Sequence, residues 1–565
     1  MRKSRRWRVC VSAVGLLGVA RRLVLTTNGD IMTKPIEILL AGASALAIST
    51  ALSATVMAAN APADFIIAGG TVYTGADQPA TVTDVVIVGD KIAFIGANAA
   101  GRYDAKKTIN AKGKVVSPGF IDGHAHADDN LNSPDAKIRA NDPWLYQGAT
   151  TLLIGVDGGG TPDISDMAAK FGKDGIGSNV VPYVGFGNIR QRILKNDARE
   201  PTAAELAQEK ALVVRGMCQG AVGISTGLFY SPQFYAKTEE VIELAKEAAR
   251  RGGNYDTHQR DESSYTTGLM ASVAEVIRIG REAQMPVHFT HIKALGIDVH
   301  GKAPEVIAAI NAARAQGIDV TANQYPWPAS GTGIQASLIP RWAEDGGRAA
   351  LLKRFDDPAQ LEKIRTEMRD NLRRRGGPES LLLISSNQEW TGLTLGQIAA
   401  KWKVEPIDAG IRIIKTGQNG GSVASFNMAE SDIVAFMEQP WVVTSSDGGG
   451  NHPRTVASYS RKYEKYVKQD KIISEAEFIR SSTGRAADIY RLENRGYLRV
   501  GYFADVTVFD PNNFKQKADY VKSKELSEGV EAVFINGKAA LIDGKGTGEL
   551  AGRVILHRPP AGTCS

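Results

Sequence analysis

The stretch that decides the predicted fold is VVSPGFIDGHAH, residues 115–126. An apolar run ends there in two histidines that are separated by a single alanine. Because alternate side chains of a strand project to the same face, we expect Asp122, His124 and His126 to point into whatever the strand lines. Two imidazoles held side by side supply half of a divalent-metal site, although a histidine-bearing strand can also carry such a pair by chance. Other residues of the chain decide between a metal site and a chance pair of histidines.

Downstream of this stretch, strand-like apolar runs alternate with helical stretches, which is typical of a parallel α/β fold. The helical stretches include Ala203–Met217, Thr238–Arg251 and Ala303–Gln316. Eight strands in such an alternation predict a (β/α)₈ TIM-like barrel. The strand candidates are Val115–Asp122, Thr150–Asp157, Val180–Gly187, Ala221–Leu228, Gly253–His258, Met285–His291, Ile318–Pro326 and Trp441–Asp447.

Both ends of the chain have a different pattern, with short apolar runs bounded by turns. These runs are Phe65–Ala68, Asp84–Val88, Ile92–Ile95, Ala504–Asp510 and Val530–Gly537. We therefore predict a small β-sandwich domain built from both chain ends, residues 59–114 and 496–565, around a metal-dependent barrel at residues 115–495. Residues 342–414 are too long for one connection, and we predict that they form an insertion near the mouth of the barrel.

Residues 1–58 are predicted to be a leader or signal segment and not part of the fold. An alanine-rich apolar run, Ile38–Ala58, ends in small residues that suit cleavage by a signal peptidase, and Arg5-Arg6 upstream resembles a twin-arginine leader. We expect export, so that the protein is periplasmic or secreted; an uncleaved anchor at Ile38–Ala58 is the alternative. No other run reaches the ~20 apolar residues of a membrane span, so no stable membrane insertion is expected after the leader is removed.

The formal net charge of +6 does not indicate a nucleic-acid partner. Residues 1–58 hold eight Lys or Arg and two acids, so they account for the whole excess and the rest of the chain is neutral. We expect a small-molecule substrate and no nucleic acid, and the oligomeric state is left open. The three cysteines, Cys10, Cys218 and Cys564, indicate neither a disulfide framework nor a CxxC metal site, and Cys218 is predicted to be a buried core residue.

Polar side chains follow five of the predicted strands at their carboxyl ends, where barrel active sites are assembled. They are His124, His126, Asp157, His258, His291 and Asp447. Four imidazoles and two carboxylates that converge there suit one or two Zn²⁺ ions, or another divalent metal. With zinc the site is hydrolytic, and Asp447 can pass a proton from water to the leaving group. The other four histidines, His288, His300, His452 and His557, are not predicted to be ligands.

At this point the chain resembles the amidohydrolase superfamily and, within it, the N-acyl-D-amino-acid deacylases, or D-aminoacylases. The resemblance runs from about Asp64 to Ile555. It is carried by VSPGFIDGHAHADDN (116–130), GAVGISTGLFYSP (220–232), GGNYDTHQRDES (252–263), PVHFTHIKALG (286–296), TSSDGGGNHPR (444–454) and GYFADVTVFDP (501–511). The order and spacing of these motifs are more specific than any one of them, and they imply a barrel with a β-sandwich built from both ends.

The resemblance also implies roles for individual residues. Metal contact falls to His124, His126, His258 and His291, and the acid/base role falls to Asp447. The substrate carboxylate is implied to lie against Lys293, Arg454 and Tyr325, with Tyr230 nearby. A pair of cations beside a metal suits an anionic amino-acid product, since arginine can bind a carboxylate through two parallel hydrogen bonds.

Two positions depart from the family pattern, and one of them is Ala127, which separates His126 from Asp128-Asp129 where some relatives run the histidine directly into the acids. The other is a metal ligand. Relatives carry a metal-binding cysteine after the second strand, in a run like TTVVVGNCG, whereas this chain has TTLLIGVDG at 150–158 and so places Asp157 there. A carboxylate is a harder ligand than a thiolate and can change the metal preference. The glycine-rich loop after Asp447, Gly448–Gly450, is a second place where the substrate pocket can differ.

The leading hypothesis is a zinc-dependent amidohydrolase that converts N-acyl-D-amino acids to a carboxylate and a free D-amino acid. The alternative enzyme acts on a cyclic amide, a lactone or a dipeptide, and a neutral cyclic substrate would not need both Lys293 and Arg454. A third hypothesis is a catalytically silent barrel used for binding, which disagrees with the retention of all six polar positions at the strand ends.

Overall fold

The computed structural model of the chain describes residues 60–417 and 421–564. The predicted leader, residues 1–58, lies outside the described residues, so the export signal stays a prediction. Within the described part of the chain, no helix is both long enough and apolar enough to cross a membrane.

The strands are numbered in chain order. They are β1 (Ala61–Val72), β2 (Thr81–Val88), β3 (Lys91–Gly96), β4 (Tyr103–Asn110), β5 (Val115–Pro118), β6 (Phe120–Asp122), β7 (Ala149–Ile154), β8 (Asn179–Pro182), β9 (Val184–Gly185), β10 (Gly223–Gly227), β11 (Asn254–His258), β12 (Val287–Phe289), β13 (Val320–Gln324), β14 (Ala329–Gly333), β15 (Leu381–Leu383), β16 (Ser422–Phe426), β17 (Val442–Thr444), β18 (Val506–Phe509), β19 (Val530–Ile535), β20 (Lys538–Ile542) and β21 (Lys545–Gly546).

The α-helices are α1 (Asp128–Leu131), α2 (Ala136–Arg139), α3 (Asp142–Leu145), α4 (Ile164–Asp174), α5 (Phe186–Leu194), α6 (Ala203–Cys218), α7 (Thr238–Arg250), α8 (Leu269–Ala283), α9 (Ala303–Ala315), α10 (Ile334–Leu338), α11 (Gly347–Arg354), α12 (Pro358–Arg374), α13 (Leu395–Trp402), α14 (Pro406–Thr416), α15 (Glu430–Met437), α16 (Arg454–Arg461), α17 (Glu475–Ser482) and α18 (Gly484–Ile489). Within the described residues, 3₁₀ turns lie at Ala99–Gly101, Gln233–Tyr235, Arg341–Glu344 and Pro378–Ser380, and a π-helix covers Lys462–Gln469.

Each of the eight predicted strand regions contains a strand of the structure. The strands β6, β7 and β8 pair in parallel, and a second parallel sheet has the order β17-β13-β12-β11-β10-β9. Helices follow most of these strands. The helix α6 begins where the sequence predicts because Thr202 and Glu205 form a capping box, which satisfies two free backbone N–H groups at the start of the helix. The predicted parallel α/β alternation is therefore confirmed.

The first predicted strand is divided in two, which corrects the expectation of a single strand over Val115–Asp122. Val115–Pro118 pairs with β1 and β18, whereas Phe120–Asp122 pairs with β7 in the parallel sheet. Gly119 separates the two pieces, and a β-carbon there would lie 2.2 Å from the Thr150 hydroxyl oxygen. Glycine is required at this close approach because any side chain would collide with the neighbouring strand.

The two chain ends share one mixed sheet. Its order is β21-β20-β19-β18-β5-β1-β2-β3, with β4 pairing β1 as well, so strands from residues 61–118 lie beside strands from residues 506–546. Apolar side chains such as Ile67, Val85 and Phe534 are buried on it. The strand runs predicted at both ends are thus joined through hydrogen bonds between β5 and β18.

The segment between β13 and β17 forms a separate small core. The antiparallel sheet β14-β16-β15 and helices α10 to α14 bury one another's apolar side chains, among them Leu338, Ile364 and Ile398. The predicted insertion, residues 342–414, lies inside this segment. It interrupts the alternation of parallel strands because its helices pack in this small core.

A disulfide bond joins Cys218, the last residue of α6, to Cys564. The expectation that Cys218 is a buried core residue is therefore wrong, since its side chain is only half-buried and covalently paired. The two cysteines are 346 residues apart, and nothing in local sequence indicates such a pair.

The described residues include buried carboxylates without a hydrogen-bond partner, and Glu209 is one of them. Glu209 on α6 is 0% exposed, and neither of its carboxylate oxygens has a hydrogen-bond partner among the described residues. Its neighbour Glu240 on α7 is paired with Arg190. Burial and the charge of Glu240 raise the pKa of Glu209 to about 8.

We expect Glu209→Gln to raise the apparent melting temperature at pH 8 by about 2–4 °C and to change it little at pH 5. The unfolded chain releases this proton above the ordinary pKa of 4.5, whereas the folded chain holds it up to about pH 8, so the wild type loses stability as the pH rises through this window. Glutamine has no such proton. Thermal unfolding at both pH values checks this, with the exposed Glu493→Gln as control; an equal gain at both pH values would contradict the explanation.

Candidate active site

The structure brings the six predicted polar side chains together at the carboxyl ends of the parallel strands. His124 and His126 follow β6, Asp157 follows β7, His258 ends β11, His291 follows β12 and Asp447 follows β17. This is the edge at which side chains from different strands converge in parallel α/β enzymes. Their common location follows from strand direction, since each residue lies at or just beyond the end of its strand.

Asp157 lies at the centre of the cluster. Its Oδ1 is 3.4 Å from His124 Nε2 and 3.7 Å from His291 Nε2. Its Oδ2 is 3.5 Å from His126 Nε2 and 3.9 Å from His258 Nδ1. One carboxylate therefore faces all four imidazoles, and the residue that departs from the family pattern is the one that connects them.

Asp447 lies on the other side of His124 and His126. Its Oδ1 is 3.3 Å from His126 Nε2 and 3.7 Å from His124 Nε2, and its Oδ2 is 2.6 Å from Arg454 Nη1. Burial favours the protonated acid, but the Arg454 guanidinium and the adjacent histidines outweigh it and hold the pKa of Asp447 well below its usual range. The Asp447 carboxylate is therefore ionised.

Glu262 is a member of the site that the sequence interpretation did not single out. Its Oε2 is 3.6 Å from His258 Nε2, and its Oε1 is 3.2 Å from His291 Nδ1. The same Oε1 accepts a hydrogen bond from Lys293 Nζ at 2.7 Å. The spacing of four residues from His258 was the available signal, but Glu262 lies beyond the end of β11, where periodicity no longer predicts direction.

Three site residues have left-handed backbone conformations, with φ of 53° at Asp157, 36° at His291 and 48° at Asp447. Residues other than glycine adopt this region at an energetic cost, and aspartate tolerates it better than most. Such residues are concentrated at active sites, where the surrounding structure holds them in place.

The buried donor atoms fit a divalent metal. His124 Nδ1 and Nε2, His258 Nδ1 and Asp157 Oδ1 have no hydrogen-bond partner among the described residues. Burial lowers the pKa of both His124 and His258 to about 4, so these imidazoles are neutral and keep a lone pair for a metal. Three overlapping sets have their ligand atoms within 4.8 Å of one another: His124, His126 and Asp447; His124, Asp157 and His291; and His258, Glu262 and His291.

Asp122, the aspartate of the opening stretch, holds the residues next to the cluster in place. Its carboxylate accepts hydrogen bonds from Ser446 N at 2.8 Å, from Trp144 Nε1 at 2.9 Å and from the Ser446 hydroxyl. Ser446 directly precedes Asp447, so Asp122 ties the end of β6 to the end of β17. Burial raises the pKa of Asp122 to about 6, against the opposing effect of these donors.

A cavity of about 450 Å³ opens above the cluster. The residues predicted to bind substrate, Lys293, Tyr325, Arg454 and Tyr230, all line it. The Tyr325 hydroxyl has no hydrogen-bond partner among the described residues, and the Arg454 guanidinium lies 4.9 Å from the centre of the Tyr325 ring. Lys293 and Arg454 are already paired with Glu262 and Asp447, and their contact with a substrate carboxylate stays a prediction.

Two of the other histidines make structural contacts near the site. His288 contacts Asn323 and Tyr490 through Nε2, and both of these residues also donate hydrogen bonds to Gly123 O, next to His124. Its neighbours Val287 and Phe289, and not His288, pack against the helices. His452 lines the cavity, where its Nε2 lies 3.1 Å from Ala329 O and its Nδ1 accepts a hydrogen bond from Arg454 N. His452 therefore supports the loop that carries Arg454.

The chain, with its parallel α/β fold and its imidazoles and carboxylates clustered at the strand ends, is similar to known enzymes. It is 29% identical over 525 residues to the D-aminoacylase of Alcaligenes xylosoxydans xylosoxydans, and the match covers 88% of this chain and 98% of the relative. The predicted resemblance to the N-acyl-D-amino-acid deacylases is thereby confirmed. No family model matches the chain.

Two solved structures are similar as well. A D-aminoacylase described as having a binuclear metal centre matches with a TM-score of 0.74 and 29% identity over 88% of this chain and 100% of its own. The N-acyl-D-glutamate deacylase of Bordetella bronchiseptica, solved with zinc and a phosphonate that mimics the tetrahedral intermediate, matches with a TM-score of 0.73 and 26% identity over the same shares.

Proposed function

We propose that the chain is a divalent-metal hydrolase that cleaves the amide bond of N-acyl-D-amino acids to a carboxylate and a free D-amino acid. The observation that carries the proposal is the group of four imidazoles around Asp157, with the ionised Asp447 beside it. The relationship to D-aminoacylase over 88% of the chain supports the substrate class. Zinc is the proposed metal because imidazole and carboxylate are its usual ligands in hydrolytic sites.

The residues that would hold the metal are His124, His126, Asp157, His258 and His291. Glu262 adds a carboxylate between His258 and His291, so the donor set is large enough for one ion or two. A bound metal ion polarises the scissile carbonyl and makes water more acidic. Only an unprotonated imidazole donates to a metal, and His124 and His258 are already neutral. The neighbouring carboxylates raise the pKa of His126 to about 10 and that of His291 to about 9, so these two imidazoles would release a proton when the metal binds.

Asp447 is proposed to be the general base and acid. The carboxylate takes a proton from the attacking water at Oδ1, which faces His126 and His124, and delivers it to the nitrogen of the departing amino acid. Arg454 holds Oδ2 at 2.6 Å and so fixes the orientation of the carboxylate while keeping it ionised. Lys293, Arg454 and Tyr325 are proposed to bind the α-carboxylate of the substrate, with Tyr230 beside them.

We propose that the two parallel sheets close into one (β/α)₈ barrel, with a β-sandwich formed by the strands of the chain ends. Closure is supported by hydrogen bonds from Asp447 N to His124 O at 2.9 Å and from His126 N to Gly448 O at 2.8 Å, which link the ends of β6 and β17. At the opposite junction only Tyr183 separates β8 from β9. The periplasmic or secreted location is likewise a proposal, supported by the disulfide of Cys218 and Cys564, since such bonds persist in oxidising compartments.

Chelation tests the proposed chemistry. We expect a chelator to abolish hydrolysis of N-acetyl-D-amino acids and Zn²⁺ to restore it, because the carbonyl is not activated without the metal. Release of the free amine from matched N-acetyl-D- and N-acetyl-L-amino acids measures the activity, and a cyclic amide and a lactone serve as comparison substrates. Activity on the L forms alone, or on the cyclic substrates alone, would rule out the proposed function.

A further inference from the structure

Arg375 is a buried cation in the wall of the cavity, on the side formed by the insertion. It directly follows α12, and 1% of its surface is exposed. Its Nε donates a hydrogen bond to Ser337 O at 3.3 Å, whereas its Nη1 has no partner. No carboxylate within residues 60–417 and 421–564 forms an ion pair with it.

Burial of a charge without a counter-ion raises the free energy of the folded chain, so the unpaired Arg375 needs a structural or functional reason. Most other buried arginines of the described residues face a carboxylate. The pairs are Arg190 with Glu240, Arg260 with Glu275, Arg341 with Glu344, Arg454 with Asp447 and Arg495 with Asp505, whereas Arg139 donates to four backbone carbonyls instead. Arg375 has neither a carboxylate nor such a set of carbonyls, and it borders the cavity.

Tyr265 contributes a second unused polar group to the same wall. Its hydroxyl is buried and has no hydrogen-bond partner among the described residues. The Arg375 guanidinium carbon lies 5.5 Å from the centre of its ring, and both residues line the cavity together with Leu295 and Ile384. A guanidinium and a phenol beside an apolar surface are suited to bind a carboxylate on a short aliphatic chain.

This wall is separate in its contacts from the cations near the metal ligands. Lys293 is paired with Glu262 and lies 2.6 Å from His291 Nδ1, and Arg454 is paired with Asp447. Those cations belong to the reacting end of the cavity, where the α-carboxylate is proposed to lie. Arg375 shares no ion-pair partner with them.

We propose that Arg375 and Tyr265 form a second carboxylate-binding site, which makes the enzyme selective for N-acyl-D-amino acids that carry a carboxylate in addition to the α-carboxylate. The inference rests on the proposed deacylase function. The second carboxylate lies either on the amino-acid side chain or at the end of the acyl group, and the two sources are separated by substrate choice.

The test compares the wild type and Arg375→Gln, both as metal-loaded full-length protein. The substrates are N-acetyl-D-glutamate, N-succinyl-D-alanine and the neutral isostere N-acetyl-D-glutamine. We expect kcat/KM of the variant to fall about 10- to 100-fold for the diacid that the site accepts and less than about 3-fold for N-acetyl-D-glutamine, as for loss of a charged hydrogen bond. The diacid affected identifies the source of the carboxylate. An equal fall for all three substrates, or no fall for any, overturns the proposal.

Arg369→Gln is the matched control, because Arg369 lies on α12, carries the same charge, is paired with Glu405 on the surface and does not line the cavity. It should leave the ratio of diacid to neutral activity unchanged. Tyr265→Phe removes only a hydroxyl and preserves the packing, so it tests the site even where Arg375→Gln folds poorly; we expect it to lower diacid turnover several-fold and neutral turnover not at all.

A direct binding measurement separates this proposal from the proposed function. Calorimetry with D-glutamate and D-glutamine on the wild type and on Arg375→Gln needs no turnover. Tighter binding of D-glutamate that is lost in the variant supports the site even if no N-acyl-D-amino acid is hydrolysed. Equal binding of both amino acids by the wild type, together with no difference in turnover between the diacids and the neutral substrate, overturns it.

Discussion

Asp447→Asn is expected to lower kcat for N-acyl-D-amino acids by about 10³-fold, since general acid/base groups contribute 10²- to 10⁴-fold. Asparagine keeps the size of the side chain but cannot accept the proton of water or carry it to the leaving nitrogen. The ion pair with Arg454 at 2.6 Å is also lost, which leaves that guanidinium buried without its carboxylate. The effect should appear in kcat rather than in KM alone, because the lost step is proton transfer.

The measurement is steady-state kinetics at saturating metal, accompanied by the metal content of the purified variant. Asp129→Asn is the matched control, because Asp129 is an exposed aspartate that lines the same cavity without contacting the histidine cluster. We expect it to retain activity within about 3-fold of the wild type, as exposed polar substitutions usually do. If Asp447→Asn kept more than a tenth of the wild-type kcat with full metal content, the proton-transfer role would belong to another group.

The parts of the site that could be predicted from the sequence are those that strand periodicity determines. His124, His258 and Asp447 lie at or just beyond the ends of short buried strands, so the parallel alternation predicted both the strands and their common edge. The division of the first strand at Gly119 was not predictable in the same way. It depends on contact with Thr150, which is a matter of three-dimensional packing.

Residues that lie outside regular elements were missed for the same reason. Glu262 lies in the loop after β11, and Arg375 directly follows a helix of the insertion; both line the cavity. The periodicity of strands and helices does not predict the direction of a side chain that lies beyond the end of an element. The pairing of Cys218 with Cys564 depends on where the chain end returns, 346 residues later. Local patterns thus predict elements and their ends, whereas loop directions and long-range closures require the folded structure.

Asp157→Ala is expected to weaken metal binding by more than about 100-fold, because loss of a residue that only orients a ligand already costs 10- to 100-fold. Both oxygens of Asp157 face imidazoles, and the variant would leave all four histidines without the carboxylate between them. Burial opposes charge on His126, but Asp157 and Asp447 outweigh it and raise the pKa of His126 to about 10. Removing Asp157 therefore also removes one of the two carboxylates that stabilise the protonated form of His126.

Competition with a chromophoric chelator measures the affinity, and Asp166→Ala, on the exposed surface of α4, is the control that should bind metal as the wild type does. Asp157→Cys introduces the ligand type that the relatives carry. We expect it to recover part of the zinc affinity while losing affinity for Mn²⁺, because a thiolate is softer than a carboxylate and favours Zn²⁺. Its thermal stability should be lower, since cysteine tolerates φ of 53° less well than aspartate. Unchanged binding of both metals in the alanine variant would mean that Asp157 is not a ligand and that the histidines hold the metal without it.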